Sequence, residues 1–401
     1  MKKVSIIGQG YVGLTIASYA YKHYKVVGYD NNEKKITQLK SGQSPVEVVD
    51  SKTVQLMNAS GNFTATNREE DIADSDIVII AVPTPLGVGR LPDLSFIESA
   101  CEHIAKCLSK KTLIINESTS FPGTVRTVIK PRIESMNPDL IHDYAISPER
   151  VDPGRKDWNQ ENTARLIAGL TPEATEATYD FYSKFCSNLV KVSTPEVAEA
   201  AKLFENTFRQ VNIALVNEFA VISNALKIPV NEVLDAAATK PYGFMKFSPS
   251  AGVGGHCIPV DPSYLSFAAN SVGVNAKFIE LANKVNLEMP NYIVSRVLAD
   301  CGGNLHGKKV MVLGIAYKPD VSDVRESPSI ALIKVLRDLG AVVSWHDEIV
   351  GSWNNENSSE LENFDIAILA TRHSNLSTEQ IMKSANYVFD CTGTCISATQ
   401  L

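Results

Sequence analysis

No apolar stretch in this sequence approaches the roughly 20 residues that a helix needs to cross a bilayer, so nothing in it reads as a membrane anchor. The opening MKKVSIIG places basic charge before apolar residues, as a signal peptide does. Glycines and Tyr11 break that run early, and it reads instead as a first β-strand. A disulfide framework is also missing: seven cysteines, an odd number scattered from Cys101 to Cys395, fit a reducing compartment. Positive charge is not in excess. The formal net charge of −7 argues against a broad nucleic-acid-binding face, which must neutralise phosphates, and an anionic substrate would need a local basic pocket. Low-complexity tracts do not occur. What is present, 44% apolar and 21% charged residues over 401 positions, suits two or three packed domains of a cytoplasmic protein.

Runs rich in Val and Ile, clearest at Val4 to Ile7, Lys25 to Tyr29, Ile77 to Val82 and Leu113 to Asn116, alternate with longer segments of helical period. That alternation marks a parallel sheet covered by helices and predicts a doubly wound first domain. From Thr194 to Leu226 the apolar spacing changes to three and four, with Pro195 near the start, predicting one helix well beyond the mean length. Such a helix links two domains and packs against its copy in a dimer, or else serves as a core helix within one domain. More helical sequence runs to Asp300, broken by a loop from Pro241 to Pro262.

After Leu305 the opening pattern returns in the same order. VMVLGIAY echoes VSIIGQGY, VVSWHD echoes KVVGYD, and FDIAILAT echoes SDIVIIAV. Buried parallel strands resemble one another, but three matches in order predict a second, smaller Rossmann-like domain. The expected fold is therefore α/β, with two Rossmann-like doubly wound domains joined by a long central helix and a small helical domain. Gly351 to Ser359, rich in Asn, Ser and Glu, is expected to be a loose loop, and Cys391 and Cys395 to pack under the last strand.

Gly8, Gly10 and Gly13 form G-x-G-x-x-G after the first strand and before a helical segment, where backbone amides approach a pyrophosphate at a helix N-terminus. Asp30 ends the next strand, where a carboxylate accepts from an adenosine ribose diol and repels a 2′-phosphate; this favours NAD over NADP. FAD stays open on the fingerprint alone. Lys35 either adds charge near the cofactor or is a surface lysine on a first helical turn.

The segment AGVGGHCIPVDPSYL, Ala251 to Leu265, gathers glycines, a thiol, an imidazole and a carboxylate in one loop. A thiolate at Cys257 attacks an aldehyde to give a thiohemiacetal, and hydride loss then leaves a thioester, so this loop permits oxidation past the aldehyde. Asp261 is placed to position or deprotonate the hydrolytic water. The alternative is a small buried cysteine beside a turn-forming aspartate. No metal is expected, since neither a second C-x-x-C nor a histidine pair completes a tetrahedral set.

Together GQGYVG, GGHCIPVDP and GIAYKPDVSDVRESP, the last from Gly314 to Pro328, resemble the UDP-glucose/GDP-mannose dehydrogenase family across essentially the whole chain. GVGGHCIPVDP is similar to the UDP-N-acetylglucosamine and UDP-N-acetylmannosamine branch, where the UDP-glucose branch has GGSC. The resemblance implies an NAD-binding domain over 1–193, a central helical dimerisation domain with the cysteine loop over 194–300, and a UDP-sugar-binding domain over 301–401. It further implies a homodimer through the central helix and a role in surface polysaccharide synthesis. The implied reaction is a four-electron oxidation of the C6 hydroxymethyl of a UDP-N-acetylhexosamine, UDP-N-acetylglucosamine favoured, yielding two NADH.

The resemblance assigns Cys257 as nucleophile. Lys202, one turn from Asn206 on the helix, stabilises the alkoxide or oxyanion, and Asn206 orients the sugar or a water. Glu149 in ISPERVDPG becomes a general base or water-orienting group. Arg150 is a candidate for reading the substrate branch, and Pro153 stands where the UDP-glucose branch has a second glutamate. Ser118 and Thr119 are similar to a pair beside the nicotinamide, with Thr119 holding a water, and Val82, Pro83 and Thr84 to the strand end lining the cofactor. Tyr11 and Val12 belong to the fingerprint turn. On the substrate side stand Tyr242, Phe244, Phe247, Gly254, Tyr317 and Lys318, with Arg325 near the cofactor. Ordinary core aromatics and ion pairs of Arg325 with Asp320, Asp323 or Glu326 are the plain alternatives. Ser250-Ala251 departs from the Gly-Pro common before GVGGHC, which leaves the substrate loop's path open. Rival functions are the mannosamine epimer, UDP-glucose, a two-electron hydroxyacid dehydrogenase and an inactive nucleotide sensor.

Overall fold

The computed structural model describes residues 1–151 and 157–401, so Pro153 lies outside the described residues. The chain divides into two compact units, Met1–Phe204 and Glu205–Leu401, with the boundary inside the helix Pro195–Leu226.

The first unit is built on strands β1 (Lys3–Ile7), β2 (Lys25–Tyr29), β3 (Phe63–Thr66), β4 (Ile77–Ile80), β5 (Leu113–Asn116), β6 (Asp143–Ile146), β7 (Arg165–Gly169) and β8 (Leu189–Lys191). They form one sheet in the order β3-β2-β1-β4-β5-β6-β7-β8. Strands β3 to β6 run parallel in the doubly wound 3-2-1-4-5-6 order, and β7 reverses against β6. Side chains alternate between the two faces: Ile6, Val26, Ile79 and Ile115 enter one apolar core, while Ile7, Val27, Ile80 and Ile114 enter another. Each such side chain taken wholly out of water stabilises by about 1.5–3 kcal/mol, which is why continuous Val/Ile runs make these strands. Local signals start the helices. Asn32 caps Glu33–Lys40 through Lys34 and Lys35 amides, and Asp50 caps Ser51–Ala59 through the Thr53 amide.

The second unit carries β9 (Lys309–Leu313), β10 (Val342–His346), β11 (Ser352–Trp353), β12 (Glu356–Asn357), β13 (Phe364–Leu369), β14 (Ala385–Asp390) and β15 (Thr399–Gln400). Its main sheet is parallel throughout in the order β10-β9-β13-β14-β15, the other common doubly wound order. Helices Lys277–Asp300 and Pro328–Asp338 and the end of the long helix supply Val216, Val297 and Leu332 to the core on one face.

Two local expectations change. Gly351 to Ser359 is an antiparallel hairpin, β11 with β12, because Asn354 (φ 50°) and Asn355 (φ 64°) take up the left-handed turn that asparagine tolerates. The cysteine loop ends earlier than expected, since Asp261 and Pro262 already open the helix Asp261–Ser271, with proline at the position that lacks an internal donor. Cys391 and Cys395 are buried beside the last strands. Among the described residues no helix is long and apolar enough to cross a membrane, and no group of three or more His, Cys, Asp or Glu side chains is assembled that could hold a metal ion.

Candidate active site

In the first unit, Gly8 turns the chain after β1 at φ +96°, and a Cβ there would meet the Ala81 carbonyl at 2.4 Å. A Cβ on Gly13 would lie 1.8 Å from the Gly8 carbonyl oxygen, so Gly13 lets the helix Tyr11–Ala20 press against the turn. Gly10 differs: no atom lies within 4 Å of its Cβ position, and this N-cap has no side-chain partner. Open space at the N-terminus of this helix is the cradle a pyrophosphate fits. Tyr11 and Val12 are half-buried, Val12 packing on the core. Asp30 accepts from the Gln9 amide at 2.9 Å and the Asn32 amide at 2.9 Å, and Lys35 Nζ pairs with it at 3.1 Å. Lys35 is thus paired with the strand-end carboxylate that the glycine fingerprint singles out.

Across the sheet, the Ser118 hydroxyl accepts from the Val82 amide at 2.9 Å and donates to the Val82 carbonyl at 2.8 Å, tying the ends of β4 and β5 together. Pro83 is exposed and Thr84 half-buried beyond that tie. Lys202 is 8% exposed, and its Nζ donates to Thr119 Oγ1 at 2.6 Å. One turn earlier on the same helix, Glu199 accepts from the amides of Gly123 (2.5 Å) and Val125 (3.2 Å) and from Ser120 Oγ (3.2 Å). Burial pushes Glu199 up to about 7 against those three donors.

Glu149 sits in a cluster that pattern reading did not anticipate. Its Oε1 accepts from the Arg150 and Val151 amides at 2.7 and 2.6 Å, and its Oε2 accepts from Gln160 and from Arg165 Nη2 at 3.0 Å. Burial alone would raise its carboxyl, but the Arg165 charge, the Val151 amide, Gln160 and the Lys202 charge together hold it below its ordinary value. Arg165, 4% exposed on β7, also donates to Glu117 Oε1 at 2.5 Å and lies over the Tyr182 ring. Tyr182 hydrogen-bonds the same Glu117 oxygen, and burial lifts Glu117 to about 6. Arg150 Nη1 donates to the Ala164 carbonyl at 2.7 Å. The one sequence signal for this cluster is a charged residue opening a strand otherwise made of Leu, Ile, Ala and Gly, since a buried arginine demands carboxylate partners.

In the second unit, Asn206 Nδ2 donates to Asp261 Oδ2 at 2.7 Å, and Asp261 is fully buried. The Cys257 carbonyl accepts the amides of Val260 (3.1 Å) and Asp261 (2.8 Å), so Cys257 begins the turn that leads into the helix Asp261–Ser271. The glycines before it permit close packing: Cβ atoms at Gly254 and Gly255 would meet Tyr317 at 2.7 and 2.8 Å, and the Gly255 amide donates to the Arg325 carbonyl at 2.9 Å. Ser250 at the unusual Ser-Ala is held by its amide on Asn217 Oδ1 at 2.8 Å, within a buried amide chain running through Asn286 to the Gln210 carbonyl. Tyr317 and Lys318 are half-buried after β9. Arg325 pairs with Asp323 at 2.6 Å, as the plain alternative held. Of the three loop aromatics, Phe247 packs on the core and edge-on to Phe208, whereas Tyr242 and Phe244 remain exposed.

The helix Pro195–Leu226 inverts the usual amphipathic order. At about 100° per residue, Glu199, Lys202, Asn206, Gln210 and Asn217 fall within an arc of about 80°. All but half-buried Asn206 are buried. The opposite arc, about 40° wide, holds Val197, Phe204, Phe208, Leu215, Ile222 and Leu226, and all of these are exposed.

The chain matches the UDP-glucose/GDP-mannose dehydrogenase family in three parts: its NAD binding domain over 2–186, its central domain over 196–288 and its UDP binding domain over 311–396. Protein CapL of Staphylococcus aureus is 35% identical over 98% of this chain and 96% of its own length. UDP-N-acetyl-D-glucosamine 6-dehydrogenase of Pseudomonas aeruginosa is 35% identical over 87% of this chain and 83% of its own. Among solved structures, UDP-D-ManNAc dehydrogenase of Pyrococcus horikoshii superposes with TM-score 0.89 at 29% identity, over 99% of this chain and 98% of that one. With the glycine cradle, the strand-end aspartate and the matches over all three parts in hand, the chain belongs to the UDP-glucose/GDP-mannose dehydrogenase family, as an NAD-dependent oxidoreductase.

Proposed function

We propose that the chain oxidises the C6 hydroxymethyl of a UDP-N-acetylhexosamine, UDP-N-acetylglucosamine foremost, to the uronic acid in two successive hydride transfers. The observation that carries this is the turn at Cys257, where a thiol and the buried Asp261 share one helix entrance and Asn206 grips the acid. A two-electron alcohol oxidation has no use for a thiol there. The Pseudomonas relative supports the gluco epimer, and the Pyrococcus structure keeps the manno epimer as the alternative.

NAD, when held at the Gly8–Gly13 turn and Asp30, would supply the hydride acceptor for both oxidations. The alcohol loses its hydroxyl proton and a hydride to give the aldehyde. Cys257 Sγ, as thiolate, adds to the carbonyl carbon, and the oxygen takes up a proton, giving a thiohemiacetal. Loss of that proton and a second hydride leaves a thioester; water then cleaves the C–S bond, releasing the carboxylate and restoring the thiol. Lys202 stabilises the oxyanions, Asn206 orients the sugar or water, and Asp261 positions the hydrolytic water. Glu149, held ionised by Arg165, orients water with Thr119. Ser118, Val82, Pro83 and Thr84 line the nicotinamide end, with Arg325 near the cofactor; Tyr317, Lys318 and the loop aromatics receive the nucleotide sugar.

We further propose the division 1–193, 194–300 and 301–401 for cofactor binding, dimerisation with the cysteine loop, and nucleotide-sugar binding. The exposed apolar arc of the long helix supports a homodimer, since a stripe of that length is costly to leave in water. The deciding test counts NADH per sugar consumed with UDP-N-acetylglucosamine, UDP-N-acetylmannosamine and UDP-glucose supplied separately. Two NADH from one N-acetylated sugar is the expected result; one NADH, or none, overturns the four-electron reading.

A further inference from the structure

The two doubly wound domains close their first strands alike and differ in one partner. Gly8 (φ +96°) and Gly314 (φ +79°) end β1 and β9, donating to the carbonyls of Tyr29 (2.8 Å) and His346 (2.9 Å). An aspartate follows the neighbouring strand each time. Asp30 accepts the Gln9 amide at 2.9 Å, and Asp347 accepts the Ile315 and Ala316 amides at 2.9 and 3.0 Å. Beyond that the domains part. The side partner of Asp30 is Lys35, whose side chain is partly exposed. The Asp347 side chain is 0% exposed, and its Oδ2 takes a third partner, His373 Nε2, at 2.9 Å. Its Oδ1 is occupied by the amides of Ile349 (3.2 Å) and Val350 (3.0 Å). No carboxylate oxygen is left here for a ribose diol.

His373 reaches further. Its Nδ1 lies 2.9 Å from the Asp320 amide. A backbone N–H can only donate, so Nδ1 is the acceptor and the ring proton sits on Nε2, directed at Asp347. The Ser374 amide donates to Asp320 Oδ1 at 2.8 Å, and Asp320 adopts φ +60°, a left-handed conformation that aspartate tolerates. The short segment Tyr317–Lys318–Pro319 is therefore fastened at one end by Asp347 on residues 315 and 316, and at the other by His373 and Ser374 on Asp320.

We propose that His373 and Asp347 are a positioning pair. They turn the strand-end carboxylate, which reads a ribose in a dinucleotide site, into an internal anchor that sets Tyr317 and Lys318 for the pyrophosphate of a nucleoside-diphosphate sugar. This rests on the proposed contact of Tyr317 and Lys318 with that substrate. The pair acts through the segment and does not touch the reacting atoms.

Calorimetric titration of the full chain with UDP, and separately with NAD, tests it. His373→Gln keeps a donor toward Asp347 and loses the acceptor for the Asp320 amide, whereas His373→Asn keeps the acceptor and loses the donor. His373→Gln is expected to weaken UDP about tenfold and to raise the sugar-nucleotide KM alike, the effect of one lost anchoring hydrogen bond. NAD affinity stays, kcat is little changed, and His373→Asn, which loses the donor toward Asp347, weakens UDP binding as well. Unchanged UDP affinity in His373→Gln overturns the pairing. Loss of NAD affinity together with UDP affinity overturns it too, because that describes general destabilisation. A wild-type chain that does not bind UDP removes the substrate reading beneath it, and that result is seen before any variant is made.

Discussion

Lys202 Nζ donates to Thr119 Oγ1 across 2.6 Å, so a buried ammonium on the long helix is aimed by a hydroxyl just past the end of β5. If Lys202 stabilises the oxyanions, Lys202→Ala lowers kcat about 10²–10³-fold. Thr119→Val, which keeps shape and removes the acceptor, costs about tenfold, and the double variant is no worse than Lys202→Ala alone, because the two act as one unit. Additive losses in a kinetic double-mutant cycle would separate them.

Two of the fingerprint glycines, Gly13 and Gly10, should fail differently. Gly13→Ala places a Cβ 1.8 Å from the Gly8 carbonyl oxygen and is expected to melt early or not to fold. Gly10→Ala meets nothing within 4 Å, so its thermal midpoint stays within about 2 °C of wild type while NAD binding weakens about tenfold or more. Thermal melts alongside NAD titrations read both; a Gly10→Ala chain with full NAD affinity would remove the cradle from the cofactor site.

Stability should fall as pH rises through the neutral range. Burial raises Glu199 to about 7 and Glu117 to about 6, above the ordinary glutamate value of 4.5. Between 4.5 and those values the native state binds more protons than the unfolded one, so their contribution is fully present below the unfolded pKa and is lost as pH climbs through the folded one. Urea midpoints of the wild type should drop from pH 5 to pH 7.5, and drop less in Glu199→Gln. Parallel slopes in the two proteins would show that Glu199 does not titrate there.

Cys257→Ala is expected to retain NAD binding and to lose acid product. Asp261→Asn, with the hydrolytic water unplaced, should accumulate a sugar-nucleotide acyl group on Cys257, visible by intact mass as an adduct discharged by hydroxylamine. Full acid production by Cys257→Ala ends the covalent scheme.

Leu215→Arg puts a charge in the middle of the exposed apolar arc, where Leu215 is 59% exposed in the single chain. Light scattering on the eluting protein should show a dimer for the wild type and a monomer for Leu215→Arg, with the melting point little changed. A wild-type monomer at micromolar concentration would retire the dimer.

Much of this was legible in order along the chain. Val/Ile runs became parallel strands because only both-sided burial makes such runs favourable, and the repeated opening pattern located the second doubly wound domain. The glycine fingerprint and Asp30 were readable because a turn, a helix start and a strand end lie within about twenty residues, the reach of a local motif.

What the tertiary structure alone decided is who faces whom. Arg165, Glu117 and Gln160 gather around Glu149 from separate stretches of chain, and a charge's partner is set by distance through space. The long helix shows the same division. Its length and period were written in the sequence, but that its polar arc is buried and its apolar arc exposed could be learned only once the sheets and neighbouring helices had chosen which side to cover. Periodicity names two faces and leaves open which one the rest of the molecule takes.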